Sequence, residues 1–176
     1  MSYAVVGIDP SSRLVACVTT LNTKQQEGVV TEVKAIRMPP KQPQRTCWLA
    51  YVGLRRYLKE LSERVDQIGV FIEAPTLVGR AGAKALIPQA QVNGALLVAA
   101  SSVSQVVVIE NVPITQWKKQ IVGNGNANKS QIAAWCKRYW TDAYALADGT
   151  QDFYDAAGIN RFGDNVMRII NSSQKG

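Results

Sequence analysis

Stretches rich in apolar and β-branched residues recur along the chain and predict five β-strands. The first runs from Tyr3 to Pro10 and is largely apolar, which is typical of a central strand buried on both faces. Only short polar segments separate the first three strands, so these should form an antiparallel meander. The predicted strands are Tyr3–Pro10, Leu14–Leu21, Val29–Met38, Ile68–Ile72 and Gln105–Ile109.

Elsewhere apolar residues recur every three or four positions, which predicts amphipathic helices. The first begins near Trp48, and its apolar face should contain Trp48, Val52, Leu54, Leu58, Leu61 and Val65. A second, 85–101, is apolar around most of its circumference, so the pattern favours either core burial or an interface. The remaining predicted helices are one from Pro113 to Gly123, one over Ile132–Trp140, and one from near Gln151 to about Asn171 that is either continuous or broken around Gly163.

Residues 41–46 and Asp142–Thr150 are predicted to be loops, and residues from about 172 to 176 a flexible tail. The alternation of strands and helices predicts a single α/β domain over 1–176, built on a mixed sheet.

The composition of the chain limits the kinds of catalytic and metal sites that it can form. The chain of 176 residues has no histidine, which excludes Ser-His-Asp and Cys-His catalysis as well as histidine-bearing zinc sites. Its three scattered cysteines fit reduced thiols better than a disulfide framework. The net charge of +7 favours a nucleic-acid partner over a role in solubility alone. Without a signal peptide or a membrane span, we expect a protein that is cytoplasmic, or inside a host cell or organelle, and not secreted.

Four acidic residues stand out by their positions. Asp9 and Glu73 each end an apolar strand, whereas Asp152 and Asp155 lie three residues apart and share one face of the last predicted helix. Taken singly, each is explained as a turn, cap or surface residue. Taken together in a basic chain, they favour a site for two divalent cations, because hard carboxylate oxygens prefer Mg²⁺ or Mn²⁺. Such a pair of ions clamps the attacking and leaving oxygens at phosphorus.

Four segments in order resemble the motifs of RuvC-type Holliday-junction resolvases. V-V-G-I-D-P-S-S-R at 5–13 resembles the opening motif, and F-I-E-A-P at 71–75 resembles the second. W-K-K-Q-I-V-G-N-G-N-A-N-K-S-Q-I at 117–132 is similar to the basic segment, and D-F-Y-D-A-A-G-I at 152–159 to the closing D-x-x-D-A motif.

The resemblance implies an RNase H-like fold with a five-stranded mixed sheet flanked by helices, and a homodimer that cuts four-way DNA junctions with two Mg²⁺ ions per active site, for which Mn²⁺ should substitute. It also implies that the dimer forms through helix 85–101. The carried-over metal ligands are Asp9, Glu73, Asp152 and Asp155. Lys129 is expected to act in catalysis and at the DNA backbone, and Lys119 matches the other basic position, with Lys118 as its competitor. The predicted DNA contacts also include Leu77, Arg80 and Lys84 in the loop after Glu73.

The sequence departs from cellular members of the family at two points. The loop after the glutamate, Ala74-Pro75-Thr76-Leu77-Val78, lacks the aromatic residue common there, and no histidine accompanies the closing motif. Both departures indicate a divergent member of phage, viral or organellar type. Two other functions use the same residues: a nuclease for RNA–DNA hybrids or other branched DNA, and a non-catalytic junction-binding protein. A sugar-kinase-like or actin-like phosphotransferase is disfavoured, because the chain lacks a second phosphate-binding motif.

Overall fold

A computed structural model describes residues 1–11, 13–23, 29–39, 42–76 and 82–173, without the side chains of residues 43, 44 and 82–85. Five strands form one sheet in the order β3-β2-β1-β4-β5. The first three form an antiparallel meander, and β4 and β5 are added in parallel to β1. The strands are β1 Tyr3–Pro10, β2 Leu14–Asn22, β3 Val29–Arg37, β4 Gln67–Glu73 and β5 Val106–Val112.

Helices cover both faces of this sheet. On one face α1 and α2 pack over the side chains of Ala4, Val6 and Ile8 from β1. On the other face the remaining helices pack over Val5 of β1 and Phe71 of β4. The helices are α1 Pro43–Ser62, α2 Gly82–Ser101, α3 Ile114–Trp117 with a π-helical turn over Lys118–Val122, α4 Lys129–Tyr139, α5 Thr141–Ala147 and α6 Gln151–Ser173. The predicted α/β fold with a five-stranded mixed sheet is therefore confirmed.

The long helix α6 lies against the central strand. A Cβ atom added at Gly7 of β1 would lie 2.2 Å from the backbone nitrogen of Asn160 and 2.4 Å from the backbone oxygen of Ala156. Asn160 is fully buried, and its side-chain amide donates hydrogen bonds to the carbonyl oxygens of Val5 and Val18, at 2.7 and 2.9 Å. The helix is thereby fixed on the sheet by both shape and hydrogen bonding.

Several sequence predictions about helices were wrong in detail. The stretch 142–150 was predicted to be a loop, but most of it belongs to α5, because an alanine-rich segment buries Ala143 and Ala147 against the core. Helix α1 begins at Pro43 inside the predicted loop 41–46, since proline is well suited to a first helical turn. The predicted apolar face was right at Leu54, Leu58, Leu61 and Val65, which are buried, and wrong at Trp48 and Val52, which are exposed.

The break considered near Gly163 does not occur. Helix α6 is continuous to Ser173, beyond the predicted end at Asn171, and residues 174–176 of the predicted tail lie outside the described part of the chain. Gly163 instead lets the helix approach Phe71, because an added Cβ would lie 2.3 Å from a ring carbon of that side chain. Strand β5 likewise extends past its predicted end at Ile109 to Val112.

Free thiols were expected, and the cysteines are free, with Cys17 and Cys136 buried. Burial raises the pKa of both thiols to about 12, so they stay protonated at neutral pH. Within the described ranges, no helix combines the length and apolar character needed to cross a membrane.

We predict that Gly7→Ala strongly destabilises the protein. The new methyl group would meet the backbone of α6, which cannot move aside as a flexible side chain can, so the free energy of unfolding should fall by about 2–3 kcal/mol. Urea denaturation would measure this change.

Asn165→Ala in α6 is the matched control. Asn165 is exposed on the same helix, and alanine is the better helix former, so this variant should gain up to about 0.5 kcal/mol. Equal stability of Gly7→Ala and wild type would contradict the close packing of α6 on β1.

Candidate active site

The parallel pairing of β1 and β4 places Asp9 beside Glu73. Ile8 is paired with Ile72, so the next residue on each strand reaches the same edge of the sheet. Side chains alternate between the faces of a strand, so Asp9 follows Gly7, and Glu73 follows Phe71, on the face covered by α6. The two strand ends at which the sequence places a carboxylate are therefore adjacent in the sheet.

Helix α6 contributes the other two acidic residues. Asp152 lies in its first turn and Asp155 one turn later, and both are partly buried. The contacts of Ala156 and Asn160 with β1 hold this end of the helix over the strand that carries Asp9. The helix N-terminus also carries a partial positive charge that favours carboxylates. Close packing thus brings the two pairs of acidic residues to one place.

The protonation of Asp9 reflects this crowding. Its pKa is raised well above the ordinary value, mainly because burial disfavours the charged form. The negative charges of Glu73, Asp155 and Asp152 raise the pKa further, whereas the positive charge of Lys129 lowers it. All four predicted acidic residues and Lys129 therefore interact electrostatically at this site.

Glu73 is buried, and burial raises its pKa to about 7. A hydrogen bond from the indole nitrogen of Trp117 to its carboxylate, 3.0 Å long, opposes this shift, as does the charge of Lys118. The pKa of Asp155 is also raised, first by burial and then by Asp152, against a hydrogen bond from Gln151 and the charges of Lys118 and Lys129.

Two lysines face the carboxylates from separate elements. Lys129 begins α4, where the capping box of Asn128 and Gln131 fixes the start of the helix. Lys118 lies in the π-helical turn, and its ammonium group donates a 3.0 Å hydrogen bond to the carbonyl oxygen of Ala127. Lys119 is exposed in the same turn. The charge of Lys118, the competitor in the sequence prediction, acts on Glu73 and Asp155.

Sequence reasoning did not identify two residues that hold Glu73. Trp117 is fully buried and donates to its carboxylate, and Asn93 of α2 donates to its backbone oxygen at 3.2 Å. The same amide of Asn93 also donates to Asn111 of β5, at 3.0 Å. In the sequence Asn93 carries no distinct signal, because Gln89 and Gln91 of the same helix are polar as well. Trp117 gave no separate signal, because a tryptophan at that position is equally explained by the core.

The structure does not test the three DNA contacts predicted in the loop after Glu73. Leu77 and Arg80 lie outside the described residues, as does the side chain of Lys84, so their roles stay predictions.

Two arginines of α6, Arg161 and Arg168, both bind Asp164 of the same helix. Their guanidinium nitrogens lie 3.2 and 2.9 Å from one oxygen of this carboxylate, whose side chain is fully buried.

Comparison with known proteins identifies the family of the chain. A model of the family described as crossover junction endodeoxyribonuclease RuvC matches residues 5–141, which is more than half of the chain. The chain belongs to the RuvC family. The predicted family is thereby confirmed, and with it the prediction of a Holliday junction resolvase. No curated protein matches the chain.

Solved structures with RuvC folds resemble the chain along most of its length. The RuvC of Thermus thermophilus superimposes with a TM-score of 0.61 at 17% identity, over 92% of this chain and 97% of that one. The RuvC of the same organism in complex with a Holliday junction substrate has a TM-score of 0.60 at 18% identity, over 92% of this chain and 96% of that one. The yeast mitochondrial Holliday junction resolvase Ydc2 has a TM-score of 0.58 at 11% identity, over 89% of this chain and 76% of that one. At these identities the likeness shows a shared fold.

Enzymes of the RuvC family use divalent metal ions, and the donor set here fits such an ion. Asp9, Glu73, Asp152 and Asp155 offer only hard oxygen atoms. The pKa values of Asp9, Glu73 and Asp155 are raised, first by burial and then by neighbouring carboxylates, so a cation bound among them would stabilise their charged forms. Among the residues with described positions, no group of three or more acidic or cysteine side chains is already arranged to hold a metal ion.

We predict that Asp9→Asn raises the stability of the metal-free protein. A carboxyl group whose folded pKa lies above its unfolded pKa binds more protons when folded, so it costs stability as the pH rises above about 4. Removing it should raise the free energy of unfolding by about 1 kcal/mol or more at pH 8 in a chelator, with a smaller gain near pH 4. Urea titrations at the two pH values would measure both differences.

Asp142→Asn serves as the control, because Asp142 is an exposed carboxylate in the first turn of α5. It should show no comparable gain. A loss of stability in Asp9→Asn at pH 8 without metal would contradict the raised pKa of Asp9.

Proposed function

We propose that this protein is a structure-selective endonuclease that cuts four-way DNA junctions by hydrolysing phosphodiester bonds. The observation that carries the proposal is the convergence of the four carboxylates with Lys118 and Lys129 in a chain of the RuvC family. A relative of the same fold is known in complex with a Holliday junction substrate, which supports the choice of substrate. The net charge of +7 suits a polyanionic partner.

The four carboxylates would hold two Mg²⁺ ions, with Mn²⁺ able to substitute. When bound, such ions supply an activated water and stabilise the charge on the attacking and leaving oxygens. The protein fixes the donors: the strand pairing sets Asp9 beside Glu73, and Trp117 and Asn93 hold Glu73 in place. The packing of α6 on β1 sets the distance of Asp152 and Asp155 from that pair.

The lysines would act on the phosphate. Lys129 lies where its charge reaches Asp9 and Asp155, so it is placed to neutralise a phosphate oxygen next to the cations. Lys118 is oriented by its bond to Ala127, and its charge acts on Glu73. Lys119 is exposed at the same turn and is proposed to contact the DNA backbone outside the cleavage site.

A homodimer through α2 would explain paired cuts, because a two-fold axis relates two identical sites to two strands. Helix α2 presents Ile87 and Val98, which are 55% and 61% exposed, on its outer surface. Asn93 of the same helix contacts Glu73, so the proposed interface and the site share one element.

We predict that Asp9→Asn binds a four-way junction with near wild-type affinity but does not cut it. The substitution removes a metal-binding carboxylate and leaves the lysines in place. End-labelled cleavage assays at low salt in Mg²⁺ would test this on a mobile junction, a fixed junction, a linear duplex and an RNA–DNA hybrid. Wild type should make paired nicks in opposed junction arms, and a chelator should abolish them.

Three results would count against the proposal. Normal cutting by Asp9→Asn would remove this residue from the site. If the RNA–DNA hybrid were cut and the junctions were not, the substrate would be the hybrid rather than the four-way junction. Tight junction binding without cutting in Mg²⁺ or Mn²⁺ would make the protein a binding module.

We also predict that Val98→Lys disrupts the dimer and uncouples the two cuts, so that junctions are nicked once rather than resolved. A lysine at the interface would bury a charge without a partner. Analytical ultracentrifugation and the ratio of nicked to linear products on a cruciform plasmid would measure the two effects. Val107→Lys is the matched control, because Val107 on β5 is also half exposed but lies outside α2. Equal dimerisation of both variants would exclude α2 as the interface.

A further inference from the structure

An open groove of about 730 Å³ lies beside the site on the same face of the sheet. Its walls come from the π-helical turn, the end of α4, the start of α5 and the middle of α6. Three aromatic residues line it: Trp135, Tyr139 and Trp140. Neither the metal site nor the lysines described above use this groove.

We propose that this groove binds a single unpaired nucleobase of the DNA substrate, stacked on Tyr139 and Arg161. The inference rests on the proposed function, and it adds a second point of contact between the protein and the DNA. Bases that leave the helical stack are commonly received on aromatic rings or guanidinium planes.

Arg161 has the geometry of a fixed stacking plane. Its guanidinium lies 5.5 Å from the centre of the Trp140 ring and is held by a 3.2 Å ion pair with the buried carboxylate of Asp164. Even so, 40% of its side-chain surface stays exposed, and it lines the groove. A guanidinium held on one side by a ring and a carboxylate loses little freedom when a base covers its open side.

Tyr139 offers a second plane. It is 64% exposed, although it lies at the end of a helix whose other residues include the buried Ile132 and Cys136. The guanidinium of Arg138 lies 4.9 Å from the centre of the Tyr139 ring. The indole rings of Trp135 and Trp140 meet edge to face, 6.1 Å apart, and form the adjoining wall.

The polar lining favours the base rather than the phosphate. Gln120 and Asn165 provide amide groups, and Asp142 provides a carboxylate that would repel a phosphate but accept hydrogen bonds from an amino group of a base. The basic residues Lys137 and Arg138 lie outside the lining at the end of α4, where they could meet the sugar-phosphate backbone.

Two helices, α4 and α6, extend from the carboxylates to the groove. Helix α4 begins at Lys129 and reaches the groove at Tyr139, and α6 runs from Asp155 to Arg161. At a rise of about 1.5 Å per residue, the length of helix from Lys129 to Tyr139 is about 15 Å, and the length from Asp155 to Arg161 is about 9 Å. They correspond to about three or four nucleotides of a stacked strand, at about 3.4 Å each. A base near the crossover could therefore enter the groove while the scissile phosphate lies at the metal site.

The test compares junction affinities in an Asp9→Asn background, so that no cutting occurs. Tyr139→Ala should weaken binding at least about fivefold, whereas Tyr139→Phe, which keeps the ring, should stay within about twofold. The slope of log affinity against log salt concentration should not change, because no phosphate contact is lost. Trp48→Ala is the control, since Trp48 is an equally exposed aromatic residue on α1, against the opposite face of the sheet.

Photo-crosslinking locates the base independently. 5-Iododeoxyuridine placed three or four nucleotides from the cut should attach to Trp135 or Tyr139. Wild-type affinity of Tyr139→Ala, equal losses in the alanine and phenylalanine variants, or a smaller salt slope would each overturn the inference. Junction cleavage is measured separately with protein that retains Asp9. If this protein cuts no junction but Tyr139→Ala still weakens DNA binding, the proposed function is wrong and the groove assignment stands.

Discussion

The contact between Gly7 of β1 and the backbone of α6 at Ala156 and Asn160 is the constraint on which the site depends. Only a glycine allows this approach, and the hydrogen bonds from Asn160 to Val5 and Val18 fix the helix along the strand. A shift of α6 by one turn would move Asp152 and Asp155 about 5 Å away from Asp9. The packing of one helix on one strand therefore sets the geometry of all four carboxylates.

This geometry works against stability in the absence of metal. Burial and mutual repulsion raise the pKa values of Asp9, Glu73 and Asp155, and the bond from Trp117 and the charges of Lys118 and Lys129 offset only part of the cost. A cation bound among these oxygens, as we propose, would relieve the repulsion. The pair of Arg161 and Arg168 with Asp164 contrasts with it, because there a buried carboxylate is compensated within the protein.

The helices that supply the site also connect it to its surroundings. Helix α2 links Glu73, through Asn93, to a surface that presents Ile87 and Val98. Helices α4 and α6 run from the carboxylates to the aromatic groove at Tyr139 and Arg161. One site thus shares rigid elements with a proposed interface and a proposed base-binding groove.

The sequence alone determined which stretches form the five strands and which four acidic residues are candidates for the site, because β-strand and helix patterns are local properties of the sequence. It did not determine that Trp117 and Asn93 hold Glu73, that Lys118 joins Lys129 near the carboxylates, or that Trp48 faces outward. It also could not separate a break at Gly163 from close packing on Phe71, since a glycine permits both. These features depend on which elements become neighbours across the sheet, and only the tertiary structure decides that.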